Sequence, residues 1–187
     1  PEAKRVEEPL PAESWRPEWW VSAAGGVAVA PDPSGVAGSG QVGLGIRLPM
    51  GPRPGLRLLA AVDSPTTQTY ERDRTQLRRA RFRLDVTLLF SWGQFWLRPA
   101  LGAGVGLLHA VALDLPDAPS DLQADATLGL ALGAGYRLTR LLSVRAELGL
   151  DVAPVENGYT IQPGGEVARS GHVLATFNLG LELGASR

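Results

Sequence analysis

Apolar and polar positions alternate along this chain with a period of two. The pattern is plainest where Arg79, Arg81, Arg83 and Asp85 interleave with Ala80, Phe82, Leu84 and Val86, and it runs on through Leu88, Phe90 and Trp92. Side chains two apart share a face only in an extended strand. This segment is therefore a strand that needs apolar surroundings on one side and a place for charges on the other. Two environments meet that need. Either the apolar side packs into a core and the charges face water, or the apolar side faces lipid and the charges line a closed barrel.

The same template predicts strands over 19–30, 38–48, 55–63, 77–91, 94–110, 121–138, 141–152 and 172–184. Most of them match or exceed the roughly 9–11 residues that a tilted strand needs to cross a bilayer, and strands of soluble proteins centre on about 5–6. The connections 49–54, 92–93 and 139–140 are short, whereas 64–76, 111–120 and 153–171 are long; the first connection, 31–36, is brief. Short turns at one end and longer loops at the other are the mark of an outer-membrane barrel.

The faces agree from strand to strand. Val42, Leu44 and Ile46 alternate with Gln41, Gly43, Gly45 and Arg47; Leu128, Leu130 and Leu132 alternate with Thr127, Gly129, Ala131 and Gly133. A soluble barrel would carry its bulky aliphatics inside and solubilising charges outside, so the second face, small or charged, reads as the lumen. Its charged members are Arg47, Arg57, Asp63, Arg79, Arg81, Arg83, Asp85, Arg98, Asp125, Arg137, Arg145, Glu147, Asp151 and Glu182. Both signs are present, and an eight-stranded interior holds little beyond its own side chains, so these groups are expected to pair into a plug. The inward glycines are expected to make room for the long arginines. Trp19, Trp20, Phe90, Trp92, Phe95, Trp96 and Tyr136 all fall near strand ends on the short-turn side and form a candidate interface girdle.

Composition narrows the alternatives. The chain has 187 residues, a net charge of -1, 23 glycines, 15 prolines and no cysteine, with Lys4 as its one lysine. One domain is expected, with no disulfide or thiolate metal site and no global charge suited to nucleic acid. The arginines at 72, 74, 78, 79, 81 and 83 divide between a loop and a lumen-facing strand and do not form one basic patch. Residues 1–18, rich in Pro and Glu, read as a periplasmic linker, either a free terminus or a tether to an upstream domain; 19–184 form the barrel and 185–187 a tail. The chain opens at Pro1 without an initiator Met, so a cleaved signal peptide or a larger N-terminal portion is expected upstream.

The runs Leu97-Arg98-Pro99-Ala100-Leu101-Gly102-Ala103-Gly104-Val105-Gly106 and Leu132-Gly133-Ala134-Gly135-Tyr136-Arg137-Leu138, the latter followed by Leu142-Ser143-Val144-Arg145-Ala146-Glu147-Leu148-Gly149, carry a resemblance. They look like the glycine-rich strand and tight hairpin of the small eight-stranded outer-membrane β-barrels, the group holding the OmpA transmembrane domain, OmpX, OmpW and the opacity-type porins. The resemblance spans nearly the whole chain. It implies an all-β, eight-stranded, antiparallel, up-and-down transmembrane barrel in the outer membrane of a Gram-negative envelope, assembled by the insertion machinery. It departs from the group at its C-terminal end, where Leu181-Glu182-Leu183-Gly184-Ala185-Ser186-Arg187 lacks the usual terminal aromatic. Either Phe177 partly substitutes or the chain continues further.

Fold does not fix function. The expectation is a non-enzymatic anchor, scaffold or surface-loop interaction protein, with outer-membrane lipid and envelope partners and without cofactor or metal. The alternatives are a narrow channel for small or hydrophobic solutes, a lipid-A-modifying hydrolase built on His109 or His172, and a soluble lipocalin-like barrel. The enzyme reading lacks a serine suitably placed for either histidine, since Ser170 falls in a loop; both histidines read as rim residues.

Overall fold

The computed structural model describes residues 16–31, 34–50, 52–70, 73–114, 120–154, 158–161, 165–169 and 172–184. These form eleven strands: β1 (Glu18–Pro31), β2 (Ser34–Arg47), β3 (Arg53–Asp63), β4 (Thr66–Tyr70), β5 (Asp73–Trp92), β6 (Phe95–Ala112), β7 (Ser120–Arg137), β8 (Leu142–Val152), β9 (Gly158–Ile161), β10 (Gly165–Arg169) and β11 (Val173–Gly184). Eight of them, β1, β2, β3, β5, β6, β7, β8 and β11, pair antiparallel in up-and-down order. Pairing of β3 with β5 on one side and of β1 with β11 on the other closes the sheet on itself. All eight expected strands are present, with ends that move by a few residues. Residues 1–15, including most of the expected linker, and the tail 185–187 lie outside the described residues.

Every side chain's direction follows from the alternation. On β5, Phe82, Leu84 and Val86 are 53%, 53% and 58% exposed on the outer wall, whereas Arg81, Arg83 and Asp85 are 7%, 6% and 0% exposed inside. Charges in and aliphatics out is the reverse of a water-soluble protein.

Three strands were not predicted. β4 pairs with the first residues of β5, Thr66 opposite Leu77 through Tyr70 opposite Asp73, and so carries a ribbon beyond the barrel. β9 and β10 form a hairpin of their own inside the long connection after β8. The sequence of β4, Thr66-Thr67-Gln68-Thr69-Tyr70, has no apolar face for the template to detect. The first connection shrinks to residues 32–33, because β1 and β2 stay paired up to Pro31 opposite Ser34.

The short turns have local causes. Between β5 and β6, Trp92 pairs with Phe95 across Gly93-Gln94, and Gly93 has φ of 61°, the left-handed region that glycine enters without penalty. Between β7 and β8, the Thr139 hydroxyl accepts hydrogen bonds from the backbone N–H of Leu141 and of Leu142. Near Arg98 the β5–β6 ladder lacks pairings between Thr87–Ala100 and Phe90–Leu97, where Pro99 has no N–H to give.

A Cβ built on Gly93 meets nothing within 4 Å, so a substitution there is penalised through the backbone alone. Gly93→Ala is expected to cost about 1–2 kcal/mol and Gly93→Asn less, read as the shift of the urea midpoint of the folded protein; equal midpoints for all three would mean the turn is not conformationally demanding.

Candidate functional site

The interior is where sequence and fold bring chemistry together. Arg57 of β3 reaches Asp85 of β5, its register partner, with Nε to Oδ2 at 2.7 Å. Its other edge pairs with Glu147 across the barrel on β8. Asp85 takes the Arg83 Nε at 2.6 Å, Arg83 pairs with Asp151, and Asp151 accepts from Arg81 Nη1 at 2.7 Å. Arg81 Nη2 then reaches Asp63 at 2.9 Å, and at the other end Arg145 lies 3.6 Å from Glu147. The result is one line of alternating charge: Arg145, Glu147, Arg57, Asp85, Arg83, Asp151, Arg81, Asp63. Neutral groups complete it, with Gln41 donating to Glu147, and the Ser22 and Ser39 hydroxyls accepting from Arg145 and Arg81.

Glycine on the same face makes the line possible. A Cβ at Gly129 would collide with the Arg83 guanidinium and lie 2.6 Å from Asp151 Oδ1, and one at Gly102 would run into Asp85. At these two positions the space a side chain would take is occupied by the charged groups of the line.

At the short-turn end a second cluster forms. Glu182 of β11 is shared by Arg47 at 3.1 Å and Arg98 at 2.8 Å. The guanidinium of Arg98 lies between two indoles, 4.1 Å from the Trp20 ring centre and 4.8 Å from that of Trp96. A cation between aromatic faces is held by the ring quadrupoles, and a guanidinium, more weakly hydrated than an ammonium, loses less on such burial.

This corrects the expected girdle. Trp20 and Trp96 are 1% and 5% exposed and point into the barrel. Adjacent residues of a strand face opposite ways, so Trp19-Trp20 and Phe95-Trp96 must each contribute one ring to either side. The remaining members, Trp19, Phe90, Trp92, Phe95 and Tyr136, do lie on the outer wall. Phe95 and Tyr136 meet edge to face at 4.9 Å, and Phe90 stacks beside Trp92. The overlooked signal was cross-strand glycine: Trp20 lies opposite Gly45 and Trp96 opposite Gly135, where a Cβ would strike the indole, and Gly184 faces the base of the Trp20 side chain.

The loop end is different in character. Leu77, Leu108, Leu174, Ala110 and Ala112 face inward and are buried, an apolar lining that the sequence reading passed over. Arg79 and Asp125, expected in the charge network, lie here, half-buried beside two small recesses of about 30 and 40 Å³. That is the scale of a few water molecules. His172 lines the first recess, and its Nδ1 lies 3.2 Å from the Ala153 carbonyl. His109 is on the outer wall in register with Arg78, so the two histidines do not converge on one site; Ser170 lies outside the described residues. Among the described residues no group of acidic, His or Cys side chains is disposed to hold a metal.

No family model matches this sequence, and no curated protein matches it. Solved structures do match in fold. A major outer membrane protein of Thermus thermophilus aligns with TM-score 0.68 at 16% identity, over 90% of this chain and 99% of that one. Neisserial surface protein A aligns with TM-score 0.55 at 14% identity, over 91% and 99%. Ail, the attachment invasion locus protein of Yersinia pestis, solved with the heparin analogue sucrose octasulfate, aligns with TM-score 0.53 at 12% identity, over 91% and 98%. The chain has the fold of the small eight-stranded outer-membrane β-barrels, as the resemblance in its sequence implied.

Arg57→Met strips a partner from both Asp85 and Glu147 and is expected to cost about 3–5 kcal/mol, as for any broken buried pair. Arg53→Met, which loses the rim contact to Glu18 at 3.4 Å, should cost about 1 kcal/mol or less. Urea unfolding of the refolded variants measures both, and equal losses would show that the interior line is solvated.

Proposed function

We propose that this chain is an integral outer-membrane barrel, a non-enzymatic anchor whose lumen is closed by its own charges and whose contacts with other molecules are made by its wall and outer loops. One observation carries the reading: the apolar side chains cover the outside and the ion pairs fill the inside. In water that arrangement would expose a continuous apolar belt far larger than soluble monomers tolerate. In lipid it is the expected one, because the closed sheet satisfies its backbone and the belt meets acyl chains.

Dimensions support it. From Phe82 to Trp92, at about 3.3 Å per residue and a tilt of about 40°, the outward apolar positions of β5 cover about 25 Å of height, the thickness of such a band. Trp19, Trp92, Phe95 and Tyr136 then lie at the periplasmic interface, with the short turns, and the longer connections face outward. The partners this implies are outer-membrane lipid, the barrel insertion machinery and, through residues 1–18, other envelope components.

The line of paired charges runs across the interior from Arg145 to Asp63, which supports an anchor over a channel. Detergent extracts run unboiled and boiled on a gel are expected to show a mobility shift, and planar bilayers containing the protein no steady conductance. A freely soluble, unshifted protein would remove the membrane reading; open-channel steps abolished by Arg98→Trp would replace the anchor with a conduit.

A further inference from the structure

On the outer wall of β5 the even positions change character abruptly. Ala80 and Phe82 begin the apolar belt, and immediately beyond them come Arg78, Gln76 and Arg74. Arg74 is committed to Asp114: its Nη2 reaches Oδ1 at 2.7 Å, and its backbone N–H reaches Oδ2 at 2.9 Å. Arg78 is exposed and donates to the Gln76 side chain at 3.2 Å. Opposite Arg78 in register, on β6, stands His109, half-buried. Directly opposed residues bring their Cβ atoms to about 5 Å, so a guanidinium and an imidazole share one shelf above the belt.

The rest of this rim is different. Outward positions just past the belt at the ends of the other described strands are uncharged, for example Pro31, Ser64, Ser120, Pro154 and Val173. Among the described outward positions at this level, at the ends of the eight barrel strands, basic character falls on the β5–β6 sector, and β4 pairs with the first residues of β5.

We propose that the Arg78–His109 shelf is a binding site for the phosphomonoester headgroup of an outer-leaflet lipid, whose acyl chains run down the wall past Ala80 and Phe82. The inference rests on the membrane-spanning reading above. Charge complementarity selects the occupant. A guanidinium fork suits phosphate oxygens, the imidazole adds a second donor, and the apolar wall beneath suits a ligand with a hydrocarbon tail. A soluble phosphate would use only the upper half of that surface.

The test uses the full chain, refolded and detergent-purified, with phosphatidic acid as the phosphomonoester lipid and phosphatidylcholine as the neutral control. Retained lipid is counted by native mass spectrometry. Phosphatidic acid is expected to be retained in preference, and Arg78→Gln with His109→Gln to lose about fivefold or more in retention, since a single arginine near a lipid surface contributes about that factor. Arg78→Lys is expected to keep most of it. Undiminished retention in the double variant overturns the site, and displacement of the lipid by inorganic phosphate at equal concentration overturns its lipid identity. Heat-modifiable folding in pure phosphatidylcholine vesicles, measured on each protein, reports separately on the membrane reading, which its loss in the unsubstituted chain would remove.

Discussion

Closing eight strands into a barrel leaves an interior with room for side chains and little else. Everything charged that the alternation sends inward must therefore be neutralised by something else sent inward, at a distance that the barrel fixes. The line from Arg145 to Asp63 is the solution reached here, with each guanidinium set against the next carboxylate and each nearby glycine yielding its side-chain space. The apolar exterior is the complement of that arrangement, since a period of two leaves no third face.

The two ends of the interior are lined by different chemistry. At the turn end a cation is layered between indoles and tied to one shared carboxylate. At the loop end, leucines and alanines line the mouth beside the two small recesses that Arg79 borders. The middle is ionic, one end aromatic and the other aliphatic, so no single kind of interaction holds the whole interior.

What could be read from the sequence was whatever the two-residue period determines locally. Strand number, which face is which, and the inward placement of residues such as Arg57, Arg83, Asp85 and Glu147 follow from positions a few residues apart. Which acid each arginine meets does not, because Arg57 and Glu147 are brought together only by the register of strands far apart in the chain. Trp20 and Trp96 could have been assigned inward from adjacency alone; grouping all aromatics near strand ends ignored the alternation that governed every other residue. β4 was hidden because a strand outside the belt needs no apolar face.

Glu182 lies on β11, the last strand of the barrel, whereas the two arginines that share it come from β2 and β6. Most other interior charges have a counter-ion on their own strand or on one earlier in the chain, as Arg83 does with Asp85 and Arg145 with Glu147. Arg47 also has Glu18 of β1 opposite it in register, whereas the carboxylate that pairs with Arg98 comes from the strand that closes the ring against β1. The seam that completes the wall is thus also what anchors the layered guanidinium, and an open sheet would leave Arg98 between its two indoles without Glu182.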